Sequence, residues 1–282
     1  MEEEKSSEEN QNNAEQEYAP SLEFSEEEEG GPVKPFLEHL EDLRWVIFKC
    51  LGAFGVALII CVTFTPAIID ILVLPMQKGL PEGASVTIAQ FEVTAPFTVV
   101  LQIGIWGGLC LAFPFLLYFI GDYIVPALHK NEKKYLGVAF TAGVILFAMG
   151  GLMAYFLVAP ISLKAFYSLG DWLGIPPVAW TAKSYFGFIP KLILGMGFAF
   201  EVPIVVLTLV RLNIVTAEFL VTGRKYMLIG NLVLSAFITP QDLVSTVMLA
   251  APLQILFEIC IIIARYWDKQ EKKKLKEMGF DV

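Results

Sequence analysis

Three acidic side chains precede the first long apolar stretch of the chain, in the segment FLEHLEDLRWVIFKC at residues 36–50. Glu38 and Asp42 are four residues apart and so share one face of a helix, and Glu41 is next to Asp42. A further acid, Glu132, lies in the segment ALHKNEKKY, before another apolar stretch. Carboxylates in fixed positions bind cations, and arginine suits them best because its guanidinium group pairs with a carboxylate through two hydrogen bonds.

The same acids also have a purely structural explanation. Each precedes or begins a predicted helix, where the helix dipole stabilises a negative charge, and Asn131 is a suitable N-cap for the helix that contains Glu132. The cluster at residues 38–42 is nevertheless unusual, because the cytoplasmic flanks of membrane spans normally carry positive charge. The residues alone leave both interpretations open: acids that start helices, or a two-part anionic site for a basic peptide.

Acids also occur inside the apolar stretches. Glu201 lies near the middle of one of them, in the segment AFEVPIV, where an ionised carboxylate is costly unless it faces protein or water. Either Glu201 bonds a neighbouring helix, or it forms a polar site that docks a partner or a substrate. Glu258, with Gln254 one turn earlier, has the same two interpretations. Asp242 follows ITPQ, where it could cap the last helix or act directly in function.

Six apolar runs must carry these side chains, since a membrane-spanning helix needs about 20 mostly apolar residues. The runs are residues 44–66, 97–120, 135–159, 185–210, 226–240 and 247–264. The last two are short, and the fifth would reach only ~22 Å across a hydrocarbon core of ~30 Å. Four prolines within or near the ends of the runs predict bent helices: Pro114, Pro190, Pro203 and Pro252. We therefore predict an all-α polytopic membrane protein whose six transmembrane helices form a curved, concave, glove-like wall.

The distribution of charge predicts the orientation and the organisation of the chain. Lysine and arginine are concentrated in the second and fourth loops and after the last run, which predicts that both termini face the cytoplasm. Residues 1–31 contain twelve of the 29 acidic residues and few apolar side chains, which predicts disorder. The predicted parts are an acidic cytoplasmic tail at residues 1–32, a membrane domain at 33–267 and a basic cytoplasmic tail at 268–282.

Several other function classes are poorly supported. The chain is 56% hydrophobic with a mean hydropathy of +0.62, and it lacks the basic face with interleaved aromatic residues that binds nucleic acid. The four cysteines lie singly in apolar runs, so we expect no metal site and no cofactor. No HExxH or GxSxG motif indicates an intramembrane enzyme. The alternative function is an ion-coupled secondary transporter with Glu201, Lys191 and Glu258 as a relay, although no paired half-helices mark its site.

Five segments, taken in chain order, resemble the TatC family, the multispan subunit of the twin-arginine protein translocase. They are HLEDLR at residues 39–44, VPALHKNEKK at 125–134, FEVPI at 200–204, ITPQDLVSTVMLAAPL at 238–253 and FEI at 257–259. Each segment alone is weakly specific, but their joint order on matching sides of six spans is highly specific. The resemblance covers roughly residues 33–267 and leaves out the acidic N-terminal tail.

This resemblance implies a receptor rather than an enzyme. Proteins of this family bind N-terminal signal peptides that carry consecutive arginines, and the folded passenger then crosses the membrane, driven by the proton motive force. The implied partners are twin-arginine signal peptides, single-span subunits of the TatA and TatB type, and further copies of the receptor. The implied location is the inner (cytoplasmic) membrane of a prokaryote.

The resemblance also assigns roles to individual residues. The carboxylates that read the signal peptide fall on Asp42 and Glu132, and Arg44 belongs to the first motif. The family usually has glutamate where this chain has Asp42, which is one methylene shorter. Either the peptide lies closer to Asp42, or Glu38 or Glu41 shares the contact. The family's intramembrane acid, outer-loop acid and first-loop proline fall on Glu201, Asp242 and Pro75.

Overall fold

The computed structural model describes residues 36–81, 84, 86–124, 130–175, 177–212, 214–239 and 243–277. Inside its helices, the side chains of residues 36–38, 130–136, 271 and 274–276 lie outside this description. Helices make up most of the described chain. This follows from its long apolar runs, because a lipid-exposed backbone must satisfy its own hydrogen bonds and a helix does so within one segment.

The elements in chain order are α1 (Phe36–Thr63), α2 (Thr65–Gly79), β1 (Thr87–Ala89), α3 (Ala95–Ile124), α4 (Lys130–Met153), α5 (Ala159–Trp172), β2 (Ala179–Thr181), α6 (Ala182–Ala199), α7 (Val202–Arg211), α8 (Ala217–Thr222), α9 (Arg224–Ile238) and α10 (Leu243–Glu277). A π-helical turn at Ala154–Val158 joins α4 to α5, and the two turn residues Phe200 and Glu201 separate α6 from α7. Pro203 lies in the first turn of α7, where a helix has no partner for the missing N–H, and Pro160 directly follows the π-helical turn in a helix that continues from α4.

Five stretches of the described chain are long and apolar enough to cross a membrane. They are His39–Thr63, Ala95–Ile124, Gly137–Trp172, Ala182–Arg211 and Leu243–Gln270. They correspond to the first, second, third, fourth and sixth predicted runs. The predicted fifth run is α9, whose 15 residues give it a length of ~22 Å. The prediction of six apolar helices with a short fifth one is therefore confirmed.

The last helix extends well past its predicted apolar run. Helix α10 has 35 residues, of which the run at residues 247–264 is only the central part. The lysine-rich continuation stays helical because lysine and glutamate favour helices and because acids and bases four residues apart form ion pairs. Asp268 pairs with Lys272 at 3.2 Å, and Glu277 with Lys273 at 3.8 Å.

Helices α1 and α3 pack closely and run antiparallel. A Cβ atom on Gly108 would lie 2.9 Å from the Cα of Leu58, so only glycine permits this approach. At the other end of the same pair, the rings of His39 and Tyr123 are stacked with their centroids 4.6 Å apart. The start of α1 therefore lies beside the end of α3, on one face of the membrane.

A short parallel ribbon joins two loops of the opposite face. Strand β1 pairs with β2 in the register Thr87–Ala179, Ile88–Trp180 and Ala89–Thr181. Beside the ribbon, Lys183 and Glu92 form an ion pair at 3.1 Å. The prediction of an all-α fold missed this ribbon, which pairs segments about 90 residues apart in the chain.

Candidate functional site

The predicted acid cluster lies in the first turns of α1. That helix begins at Phe36, so Glu38, Glu41 and Asp42 lie in its first two turns, at the start of the stretch His39–Thr63. Glu41 is exposed and Asp42 is half-buried, whereas the side chain of Glu38 lies outside the described residues. The cluster therefore presents at least one solvent-accessible carboxylate at the membrane surface.

A contact between α1 and α3 fixes the position of this cluster. The hydroxyl of Tyr123 forms a 2.8 Å hydrogen bond with Nε2 of His39, in addition to the ring stacking. His39 is one turn before Asp42 on the same helix face, and Tyr123 is next to the last residue of α3. This pair could not be predicted from the sequence, since nothing in either local segment indicates that two rings 84 residues apart in the chain come together.

Arg44 lies next to exposed aromatic side chains of α1. Its guanidinium carbon is 5.7 Å from the ring centroid of Phe48 and 6.0 Å from that of Trp45. At these distances a guanidinium group is attracted to an aromatic ring, which favours a position at the membrane interface. Arg44 therefore marks the level at which α1 enters the apolar layer.

The second predicted acid site is placed only in part. Helix α4 begins at Lys130, so Glu132 lies in its first turn, as predicted. Asn131 is already inside the helix, so the prediction that it caps the helix is wrong and places the helix start two residues too late. The side chain of Glu132 and the whole of Asp242 lie outside the described residues. The connection that ends in α4 starts from α3, beside the His39–Tyr123 contact.

Glu201 occupies the break between α6 and α7. Its side chain is 9% exposed, and its Oε1 atom has no hydrogen-bond partner among the described residues. A Cβ atom on Gly143 of α4 would lie 3.0 Å from Oε2 of Glu201, so the carboxylate lies directly against the backbone of α4. Packing therefore fixes the position of the Glu201 side chain, but its buried carboxylate is not fully hydrogen-bonded.

Gln102 is a half-buried residue with a buried side-chain oxygen, and the sequence did not predict a role for it. Its Oε1 atom also has no hydrogen-bond partner in the described part of the chain. A Cβ atom on Gly187 would lie 2.9 Å from its Nε2 atom, so the amide packs between α3 and α6. Its only sequence signal is an amide side chain inside an apolar run, which is a weak indicator of function.

Glu258 and Gln254 have partners on α9, in agreement with the structural interpretation of these residues. Glu258 forms an ion pair with Arg224 at 3.0 Å, and Gln254 accepts a 3.0 Å hydrogen bond from Asn231. The transporter alternative required Glu258 to act with Glu201 and Lys191 as a relay. The ion pairs found among the described residues do not link those three side chains, and Glu258 is engaged by Arg224.

Pro75 lies inside α2 and is fully buried. A proline at this position cannot donate a hydrogen bond to the carbonyl of Ile71, four residues earlier. The hydroxyl of Tyr155 donates to that carbonyl instead, at 2.7 Å, and the hydroxyl of Tyr185 donates to the carbonyl of Leu72 at 2.7 Å. Pro75 therefore frees the carbonyl that Tyr155 binds, and together with Tyr185 at the next carbonyl this holds α2 against the third and fourth spans.

Comparison with known proteins identifies this arrangement. Residues 38–252 match the family model described as Sec-independent protein translocase protein (TatC). A crystal structure of the twin arginine translocase receptor TatC in DDM matches with a TM-score of 0.71 and 33% identity, over 80% of this chain and 99% of that chain. The chain belongs to the TatC family.

Relatives of known name agree with this assignment. The TatC protein of Desulforapulum autotrophicum is 33% identical over 90% of this chain and 92% of its own length. Those of Aquifex aeolicus and Escherichia coli K12 are 32% and 30% identical, over 98% and 90% of their lengths and 85% and 83% of this chain. As a TatC-family member, the chain is a core subunit of the twin-arginine translocase and a multi-pass protein of the bacterial inner membrane.

Proposed function

We propose that this TatC-family chain is the subunit that binds the twin-arginine signal peptide of a folded precursor protein. The binding site is formed by the starts of α1 and α4. Asp42 and Glu132 pair with the two guanidinium groups, and Glu38 or Glu41 compensates for the short side chain of Asp42. Arg44 anchors α1 at the interface, so that the acids before it stay at the membrane surface.

The contact between His39 and Tyr123 is the observation that carries this proposal. Its 2.8 Å hydrogen bond and ring stacking hold the start of α1 against the end of α3, from which the chain leads into the helix of Glu132. The contact ties the helix of Asp42 to α3, and Glu132 lies in the first turn of the helix that follows α3 in the chain. A preorganised anionic pair binds a doubly cationic ligand without first ordering its own groups.

The remaining partners and the orientation belong to the same proposal. Both termini and the signal-binding acids face the cytoplasm, since lysine and arginine flank this face. Single-span subunits of the TatA and TatB type and further copies of the receptor assemble with the chain, and the proton motive force drives transport of the folded passenger. Residues 1–32 and 268–282 act as cytoplasmic tails of a membrane domain at residues 33–267, and the chain has no enzymatic activity of its own.

Three further residues have roles other than binding the arginine pair of the signal peptide. Its apolar part lies against the concave wall toward Glu201, whose carboxylate accepts a hydrogen bond from an arriving transmembrane segment. Asp242 acts on the opposite face, in the turn between α9 and α10. Pro75 supports the docking surface indirectly by holding α2 in place through Tyr155 and Tyr185.

The experiment is photo-crosslinking of a twin-arginine signal peptide to membranes that contain the chain. Asp42→Asn and Glu132→Gln should each reduce labelling, and the double variant should reduce it by about tenfold or more, because two charge-assisted hydrogen-bond pairs are lost. A peptide with two lysines in place of the arginines should label weakly even with the unchanged chain.

The matched control is Glu92→Gln, which removes an exposed carboxylate from the opposite face and should leave labelling unchanged. Arginine-dependent labelling that persists at full strength in the Asp42→Asn/Glu132→Gln double variant would exclude the proposed site. Equal loss of labelling in the Glu92→Gln variant would indicate a general effect of charge rather than a site.

A further inference from the structure

Helices α4 and α6 approach each other through glycine positions. A Cβ atom on Gly150 would lie 2.7 Å from the carbonyl oxygen of Met196, and one on Gly197 would lie 2.7 Å from Cε2 of Phe147. Glycine inside a helix costs about 1 kcal/mol relative to alanine, so close packing is the physical reason for these residues. Each glycine leaves a gap that an atom of the facing helix fills.

Gly143 is the member of this set that faces a carboxylate. A Cβ atom there would lie 3.0 Å from Oε2 and 3.6 Å from Oε1 of Glu201, and 2.8 Å from Cδ2 of Leu117. The end of the leucine side chain can rotate away at little cost. The carboxylate has less freedom, because Glu201 is 9% exposed and is fixed at the break between α6 and α7.

An aromatic cluster closes the next turn of the same interface. The rings of Phe113 and Phe147 are stacked 3.8 Å apart, and Phe198 meets them edge-on at 5.3 and 5.7 Å. Phe147 is one turn beyond Gly143, and Phe198 is one turn before Glu201. The carboxylate thus lies against the backbone of α4, one turn from a cluster of apolar rings, and its Oε1 atom has no hydrogen-bond partner among the described residues.

From this geometry we infer that Gly143 is a positioning residue for Glu201. The missing Cβ atom lets the carboxylate rest against α4, and this position is the one from which it accepts a hydrogen bond from a docking transmembrane segment. The inference rests on the role proposed for Glu201 and adds the residue that determines where its carboxylate lies. It also gives the donor a chemical class: a hydroxyl, amide or ammonium group at the depth of the α6–α7 break.

The test is a double-mutant cycle on the export rate of a twin-arginine precursor in cells that carry the complete translocase. Gly143→Ala should slow export by about fivefold, because a displacement of tenths of an ångström to 1 Å at an aligned site is costly. Glu201→Asp should also slow export, since the shorter side chain leaves the gap at α4 empty. The double variant should export about threefold faster than the slower single variant, because the added methyl group fills that gap.

Two matched glycines separate positioning from packing. Gly137→Ala changes a residue of α4 with nothing within 4 Å of the added Cβ, and export should be unchanged. Gly150→Ala disturbs the packing of α4 and α6 without touching the carboxylate, so Glu201→Asp should add to its defect rather than relieve it. The amount of each variant in the membrane fraction is measured alongside, so that loss of the protein is not counted as loss of function.

The outcomes distinguish a failure of the inference about Gly143 from a failure of the role proposed for Glu201. Normal export with Glu201→Ala would refute the role of Glu201 and the inference together. Impaired Glu201→Ala with normal Gly143→Ala would refute the inference alone. So would equal effects of Glu201→Asp in the Gly143→Ala and Gly150→Ala backgrounds, because the glycine would then serve packing only.

Discussion

The α9–α10 hairpin and the junction between α6 and α7 both place polar side chains in apolar surroundings, but they treat them differently. In the hairpin, Glu258 pairs with Arg224 at 3.0 Å, and Gln254 bonds Asn231 at 3.0 Å. At the junction, Glu201 is 9% exposed and its Oε1 atom has no partner among the described residues. Glu201 and Glu258 both lie in apolar runs of the sequence, yet only Glu258 forms an ion pair among the described residues.

This difference separates polar groups that hold helices together from a buried polar group that has no partner among the described residues. The hairpin is built on a short helix of 15 residues, which has little apolar surface with which to bind its neighbour. Cross-helix bonds therefore supply part of the attachment. The junction already has tight glycine and aromatic packing, so its carboxylate is not needed to join α4 to α6. A buried polar group that the fold neither needs nor satisfies is a candidate for contact with a partner.

Reversing the charge of each acid should produce the largest difference in stability between the two regions. Glu201→Lys places an unpaired ammonium group in a site that is nine-tenths buried, which should cost about 3–5 kcal/mol of unfolding free energy. Glu258→Lys meets Arg224 in a half-exposed site and should cost much less, since solvent screens the repulsion. The measurement is the amount of each variant in the membrane fraction, together with its thermal aggregation temperature in detergent.

The control for this prediction is Glu201→Leu, which removes the charge but keeps most of the volume and should accumulate normally. Equal accumulation of the two lysine variants would show that the surroundings of Glu201 and Glu258 are alike, contrary to the burial of the two side chains.

A charge swap in the hairpin should have a smaller and reversible effect. Arg224→Glu or Glu258→Arg alone should lower the free energy of unfolding by about 1 kcal/mol, and the swapped pair should recover all but about 0.5 kcal/mol of it. Both side chains are about 40% exposed, which keeps the interaction weak. Thermal unfolding midpoints in detergent measure the cycle, and a double variant no more stable than the sum of the singles would rule out a direct pair.

The sequence predicts the parts of this fold that depend on local composition. Length and hydropathy identify the six apolar helices, including the short α9, because each run must satisfy its own backbone in lipid. The pairing of β1 with β2 could not be predicted, since it depends on two three-residue segments about 90 residues apart. The extent of α10 was underestimated because the prediction followed the apolar run and not the helix propensity of the lysines that continue it.

In the candidate site, too, some features could be predicted from local sequence and others could not. The segment AFEVPIV predicts that Glu201 lies inside a span. Its lack of a partner could not be predicted, because it depends on Gly143 and the phenylalanines of other helices. The pairing of Glu258 with Arg224 could have been predicted from the sequence. In an antiparallel hairpin, residues equally far from the turn face each other, and Arg224 and Glu258 are each seventeen residues from residue 241. The His39–Tyr123 contact carried no comparable signal, because α1 and α3 are not joined by a tight turn.

The smallest predicted effect concerns two half-buried amide side chains: the oxygen of Gln254 accepts a hydrogen bond, and that of Gln102 has no partner among the described residues. Gln254→Leu leaves Asn231 without its partner and should lower the free energy of unfolding by about 0.6 kcal/mol, the usual value of a hydrogen bond between membrane helices. Gln102→Leu removes an amide whose Oε1 atom has no partner in the described part of the chain, so it should cost nothing or stabilise the protein slightly. Both changes exchange the same side chains, which makes Gln102→Leu the control for volume and hydrophobicity. Thermal unfolding of the two variants in one detergent measures the difference. A loss with Gln102→Leu as large as that with Gln254→Leu would mean that Gln102 is bonded in the membrane, and that the α3–α6 contact resembles the hairpin rather than the junction.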